Sequence, residues 1–231
     1  MKSLIVGYGE VGKALCKVLV DYAPASLDPK DKHLTGMIQI SGPRPPDEKE
    51  TFEIMHITFP YSPNFIQYVK EYQEKYKPRF TVIHSTVPLG TSRELGATHS
   101  PIRGIHPNLE GGIRTFTKFL GGEQSSDVAD YFRRAGIRVA LFDKQETTEA
   151  MKLWDTQYYK VVIDFAHRVK RYCDKHNLNF HEVYTLANQT YNEGYTKLGI
   201  PEVVRPVLQP IMKPIGGHCL LPNDELLKES E

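Results

Sequence analysis

The sequence predicts an α/β protein, a mostly parallel sheet flanked by helices and followed by a smaller all-helical part built on one long helix. Three observations carry this reading. The short apolar run Ser3-Leu4-Ile5-Val6 leads directly into a glycine-rich turn and then a helical period. Strand-like and helix-like segments then alternate through residue 144. From Glu146 to about His176, apolar residues recur every three or four positions, at Met151, Trp154, Tyr158, Val161, Phe165, Val169 and Tyr172.

Composition bounds what such a chain can do. With 231 residues, 40% hydrophobic and 25% charged, it is an ordinary globular sequence able to bury a core. Lys plus Arg number 29 against 28 Asp plus Glu, a formal charge of +1. That balance offers no general pull toward nucleic acid or a membrane surface, and neither is expected as a partner. Cys16, Cys173 and Cys219 have neither the even count of a secreted disulfide scaffold nor the spacing of metal-ligand pairs. A reducing cytoplasm and no metal are therefore expected. Gly7 breaks the first apolar run before it can form a signal-peptide core, and no run of about 18 apolar residues is available for a membrane span.

Taken in order, Gly7-Tyr8-Gly9-Glu10-Val11-Gly12 reads G-x-G-x-x-G directly after a strand and before a helix expected over Lys13 to Tyr22. That is the context of a Rossmann-type dinucleotide turn. Gly7 would make the bend, Gly9 leave room for the pyrophosphate and Gly12 let the helix pack on the strand; Glu10 and Val11 lie where the helix N–H groups meet phosphate. Asp28 follows about 20 residues later, where a carboxylate binds ribose hydroxyls, which favours NAD over NADP; Lys30 and Lys32 lie nearby. Residues 29–52 contain Gly42-Pro43-Arg44-Pro45-Pro46 and read as a loop-rich part of the sheet.

A strand over Phe52 to Phe59 runs into Pro60-Tyr61-Ser62, a helix covers about Asn64 to Tyr76, and a strand over Arg79 to His84 runs into Ser85-Thr86-Val87-Pro88-Leu89-Gly90-Thr91. Ligands bind at the carboxyl ends of parallel strands, so Pro60, Tyr61, Ser85 and Thr86 are candidate cofactor-binding residues beside the glycines. A strand over Ile102 to Ile105 leads into a turn from His106 to Gly112, in which His106 is either a site residue or a turn histidine bonded to backbone. Phe119 to Gly122 and Ile137 to Leu141 complete the strands, with a helix across Ser125 to Ala135 between them. The division expected is a cofactor domain over 1–144 and a helical domain over 145–231.

The long helix suits core packing, a subunit interface or a spine between domains. Glu149, Lys152 and Thr156 fall on another of its faces, where the lysine could reach a nicotinamide; the bland alternative is a surface Glu-Lys pair. A second helix is expected over Phe180 to Asn192, only short helical pieces among Pro201, Pro206, Pro210 and Pro214, and a frayed charged end over Asp224 to Glu231. Gly216-Gly217-His218-Cys219 places a thiol behind two glycines, where backbone and ligand can approach closely.

In order and rough spacing, these motifs resemble the UDP-glucose/GDP-mannose dehydrogenase family. The matching stretches are the N-terminal G-x-G-x-x-G, Ser85 to Thr91, Gly121-Gly122, Glu149-Ala150-Met151-Lys152-Leu153 and Gly216 to Cys219. The likeness covers nearly the whole chain and stops before the family's C-terminal nucleotide-binding domain. It implies an NAD-dependent, two-step oxidation of a sugar primary alcohol to a carboxylate by a homodimer. It further implies that Cys219 captures an aldehyde as a thiohemiacetal, Lys152 stabilises an oxyanion, Glu110 assists water or proton transfer and Thr86 holds that water. Two positions depart from the pattern. Thr156 stands for an asparagine and Asn223 for an aspartate, and an asparagine cannot act as a base. The missing domain implies a smaller substrate than a full nucleotide-sugar, or a site completed by another chain. Ile105-His106-Pro107 is also similar to a turn of prephenate and arogenate dehydrogenases, which implies the alternative of a prephenate-like or hydroxyacid dehydrogenase using His106. A non-catalytic NAD-binding module is the reading from a different class.

Overall fold

The computed structural model describes residues 3–19, 25–26, 51–104, 107–209 and 220–230. Asp28, His106, Cys219 with the preceding Gly216 to His218, and most of the loop expected at 29–52 lie outside the described residues. Seven strands form one sheet: β1 (Ser3–Val6), β2 (Ala25–Ser26), β3 (Ile54–Ile57), β4 (Phe80–Ile83), β5 (Thr98–His99), β6 (Lys118–Gly121) and β7 (Val139–Phe142). Their order is β2-β1-β3-β4-β5-β6-β7. All neighbours run parallel except β5 and β6, which pair antiparallel at His99 and Gly121. The chain winds outward from β1 in both directions, so the order reverses between β1 and β3.

The central strands are buried on both faces, as a sheet covered by helices on each side requires. Their alternate residues feed two cores. Ile5, Ile54 and Val82 pack with Leu15, Val18, Val128 and Phe132 from α1 (Glu10–Val18) and α5 (Ser125–Arg134). Leu4, Val6, Met55, Ile57 and Ile83 face the other way, onto Phe65, Val69 and Tyr72 of α2 (Phe65–Tyr76). This is the period-two alternation of a strand, and it fixes the register.

Several sequence expectations are corrected. Helix α1 starts at Glu10, three residues earlier than expected, because the extended Gly9 (φ −72°, ψ −158°) already serves as its N-cap. A short α3 (Thr91–Glu94) interrupts the loop after β4. The strand expected from Ile102 is absent over 102–104, and β5 lies earlier, at Thr98–His99. Helix α4 (Leu109–Thr115) replaces the turn expected up to Gly112, because the Asn108 side chain accepts the Gly111 N–H at 3.0 Å and caps it. Strand β7 begins at Val139 instead of Ile137.

The long helix α6 (Gln145–His176) is present, and five of the seven apolar stripe residues are exposed, which does not fit core packing: Trp154, Tyr158, Val161, Phe165 and Tyr172 are each 54–58% accessible. Leu153, Ala166 and Cys173 along the helix are buried. Beyond it a π-helical stretch, His181–Leu186, continues as α7 (Ala187–Lys197), longer than expected, and a 3-10 turn covers Pro201–Val203. The end expected to fray is α8 (Leu220–Ser230). Its Asn223 amide donates to Thr156 Oγ1 (3.2 Å) and Asp224 pairs with Lys160 (2.8 Å) and Lys228 (3.2 Å), which hold it helical.

The chain divides into two compact units, Met1–Lys152 with Glu229–Glu231, and Leu153–Lys228. The division falls within α6, because the first two turns of that helix are hydrogen-bonded to the sheet unit. Among the described residues, no helix is long and apolar enough to cross a membrane.

Candidate functional site

In-register pairing sets the site. Val6, Ile57 and Ile83 end β1, β3 and β4 side by side, so the turns that follow them emerge at one edge of the sheet. Gly7 to Gly12, Pro60-Tyr61 and Ser85-Thr86 are thereby gathered at the carboxyl ends of the strands, where the order reverses.

The turn itself is built around close contacts. Gly7 has φ +105°, a conformation L side chains rarely adopt, and the Thr58 hydroxyl reaches the carbonyls of Val6 (3.1 Å) and Gly7. A Cβ at Gly12 would lie 1.9 Å from the Gly7 carbonyl oxygen, so only glycine lets α1 come this close to β1. Gly9 is the opposite case: a Cβ there would meet nothing within 4 Å. No side chain caps α1 at this end. The result is an open cradle facing uncapped helix N–H groups with the positive end of the helix dipole behind them, which fits a dinucleotide pyrophosphate.

The neighbouring turns are tied to this cradle. The Ser85 hydroxyl donates to Phe59 O at 2.5 Å, so it fastens the β4 turn to the β3 turn. Pro60 is exposed, and Tyr61, Ser85 and Thr86 are half-buried. Behind them His99, fully buried, lies 3.3 Å from Ser85 O through Nε2 and 2.8 Å from Thr148 Oγ1 through Nδ1. The Thr148 hydroxyl also donates to Gln145 O (2.9 Å), so it ties the His99 ring to the first turn of α6. Burial lowers the His99 pKa to about 3 and keeps the ring neutral; the charges of Lys118 and Lys152 act in the same direction.

Glu149 overturns the reading of a surface Glu-Lys pair. It is 1% exposed, and its carboxylate accepts the Gly90 N–H (2.7 Å) and the Ser92 N–H (2.9 Å). Burial raises its pKa, and the Ser92 and Gly90 hydrogen bonds oppose that rise. Lys152 follows one turn later on the same helix face, half-buried. Gly121 lets α6 approach β6, since a Cβ there would lie 2.5 Å from Thr148 Oγ1.

Two other candidates are engaged elsewhere. Glu110, on α4, faces Arg114 of the same helix at 3.5 Å, and Arg114 also donates to Lys17 O on α1. In the second unit, Asn223 is buried and donates to Thr156 Oγ1, while Lys160 and Lys228 hold the Asp224 carboxyl below its ordinary range. Neither Asn223 nor Asp224 is placed as a free base.

Sequence reasoning missed His99, the buried role of Glu149, and a polar chain inside the sheet. Tyr131 OH lies 3.3 Å from His56 Nε2, His56 Nδ1 lies 3.0 Å from His84 Nε2, and His84 Nδ1 lies 2.8 Å from Ser100 O. Lys118 Nζ sits 3.3 Å from both His84 Nδ1 and Ser100 O, and no carboxylate pairs with it among the described residues. Burial lowers its pKa to about 7. Among the described residues, no group of three or more His, Cys, Asp or Glu is arranged to hold a metal ion.

No protein-family model matches the sequence, and no curated protein matches it. Solved structures do share its fold. The UDP-D-ManNAc dehydrogenase of Pyrococcus horikoshii superposes with a TM-score of 0.77 at 17% identity, over 98% of this chain and 63% of that one. The NDP-N-acetyl-D-galactosaminuronic acid dehydrogenase of Methanosarcina mazei gives 0.70 at 18% identity, over 99% and 60%. The 3-hydroxyisobutyrate dehydrogenase of Mycobacterium tuberculosis gives 0.62 at 14% identity, over 99% and 85%. The chain thus spans less than two thirds of the two sugar-nucleotide enzymes, and at these identities the likeness is one of fold.

Proposed function

We propose that this protein is an NAD-dependent dehydrogenase that oxidises an alcohol of a sugar or nucleotide-sugar-like substrate. The observation that carries the reading is the open cradle at Gly9. It faces the uncapped start of α1, at the strand-order reversal, with the loop bearing Thr86 fastened to the helix bearing Lys152. The choice of substrate class is our reading of the ordered motifs, and the fold shared with the sugar-nucleotide dehydrogenases supports it.

In this reading Gly7, Gly9, Glu10, Val11 and Gly12 line the pyrophosphate, Pro60, Tyr61, Ser85 and Thr86 flank it, and Asp28 takes the ribose. When bound, NAD supplies the hydride acceptor. The Lys152 ammonium stabilises negative charge developing on the substrate oxygen, and the Thr86 hydroxyl orients water or the substrate hydroxyl. Cys219 has the covalent role, with its thiolate adding to an aldehyde carbon to give a thiohemiacetal. Glu110 serves as a base only if it leaves Arg114. The same reading divides the chain into a cofactor domain over 1–144 and a helical substrate and dimerisation domain over 145–231, acting as a homodimer in the cytoplasm.

A second reading is a hydroxyacid dehydrogenase performing a single hydride transfer. It is favoured by the match to 85% of the 3-hydroxyisobutyrate enzyme, a protein of more nearly this chain's size. The same experiment separates the two. NAD reduction is followed with a panel of sugar alcohols, sugar nucleotides and hydroxy acids, for wild type, Lys152→Met and Cys219→Ser. The first reading expects turnover on a sugar substrate, at least hundredfold loss in Lys152→Met, and Cys219→Ser stalled after one hydride. Turnover restricted to hydroxy acids, with full activity in Cys219→Ser, supports the second. No turnover on any substrate leaves the non-catalytic NAD-binding module.

A further inference from the structure

The loop after β4 is held directly by the long helix. It leaves the sheet at Ser85, passes Thr86 and the fully buried Val87, and ends in the short helix α3. Two buried groups grip it. At its start, the His99 ring lies between Ser85 O (3.3 Å from Nε2) and the Thr148 hydroxyl of α6 (2.8 Å from Nδ1). At its end, both oxygens of Glu149 of α6 take the Gly90 and Ser92 N–H groups. These N–H groups begin a four-residue helix too short to satisfy its own N-terminus, so an external acceptor is required. Gln145, Thr148, Glu149 and Lys152 lie at i, i+3, i+4 and i+7 on α6, one continuous face. Gln145 extends the grip to Ala97 O at 3.2 Å.

We infer that Glu149 is a positioning residue: it sets the placement of the Ser85–Thr91 loop relative to Lys152, one helical turn away, with His99 as the second point of the clamp. The inference rests on the proposed dinucleotide site, since its purpose is to hold Thr86 and the loop backbone against a bound cofactor. A carboxylate suits the task because its two oxygens accept from two N–H groups at once. An amide cannot: it has one oxygen, and its NH2 opposes the second N–H. A buried carboxylate is a costly choice, stable here because both oxygens are satisfied.

The test uses the full chain and two readouts. Hydrogen exchange is measured by mass spectrometry on wild type, Glu149→Gln and Glu149→Ala, and NADH affinity is measured by fluorescence titration at a temperature where each variant is folded. The expected result is faster exchange confined to 85–92, at least tenfold in Glu149→Gln and more in Glu149→Ala, with β1 and β3 unchanged. NADH affinity falls at least fivefold in Glu149→Gln. A purely structural glutamate would lower thermal stability and leave the NADH affinity of the folded variant unchanged, and that outcome overturns the inference. Unchanged exchange at 85–92 in Glu149→Gln also overturns it. If wild type itself binds no NADH, the dinucleotide reading fails, and the exchange pattern still decides whether Glu149 holds the loop. Glu149→Gln keeps the test valid if Glu149→Ala does not fold.

Discussion

Single residues in the glycine turn carry opposite demands. At Gly12 an added methyl meets the Gly7 carbonyl at 1.9 Å, so Gly12→Ala is expected to destabilise the fold by about 1–3 kcal/mol, the usual cost of overpacking. Gly9→Ala meets nothing and is expected to leave the melting temperature within a degree or two of wild type. Thermal unfolding of the two variants checks the contrast; equal loss in both would show that the turn is not packed as described. Lys118 makes a second prediction at this scale. Its folded pKa of about 7 lies below its ordinary 10.5, so the unfolded chain binds more protons between these values. Stability therefore rises with pH from about 7 to about 10, at up to roughly 1.4 kcal/mol per unit, and the gain is lost over the same interval as pH falls, leaving none of it below about 7. Buried His56, with its pKa lowered to about 3 by burial and then by Lys118, adds a separate loss only below pH 6.5. Denaturant titrations across this range should show the rise in wild type and a flatter profile in Lys118→Met. An identical rise in both would remove Lys118 as its source.

At the scale of elements, α6 does two things along its length. Its first two turns belong to the sheet through Gln145, Thr148 and Glu149. Further on it exposes Trp154, Tyr158, Val161, Phe165 and Tyr172, spaced as the seam of a helix pair. In the proposed homodimer this stripe is the contact between copies. Sedimentation velocity is expected to give a dimer for wild type and a monomer with unchanged helicity for Tyr158→Glu with Phe165→Glu; a monomeric wild type would contradict the dimer. Helix α8 is held by a weaker device. Thr156→Val removes the acceptor of the buried Asn223 amide and should cost about 1–3 kcal/mol, read from denaturant unfolding.

Over the whole molecule, the legible parts of the sequence were those whose local pattern matches their surroundings. Apolar runs such as Leu4-Ile5-Val6 and the strand around Ile54 and Ile57 read as strands because they are buried on both faces, and the register of these strands then gathered Gly9, Tyr61 and Thr86 without further information. Strand β5 was hidden for the converse reason. Thr98, His99 and Ser100 look like a polar loop, yet all are buried, and the partners of His99 come from Ser85 and Thr148, distant in sequence. Lys118, a strand residue with a buried ammonium, and Glu149, with its acceptors aimed at backbone 57 and 59 residues away, escaped on the same grounds. The stripe of α6 was legible as a period, but a period does not say whether the same chain or a second copy covers it.

The central claim is that the turn at Gly7–Gly12 binds a nicotinamide dinucleotide. Calorimetric titration of NADH into the wild-type chain and into Gly9→Val tests it most directly. The expected result is one molecule bound per chain by wild type, with affinity at least tenfold weaker in a folded Gly9→Val. Absence of binding to wild type, or equal affinity in the two, would contradict it.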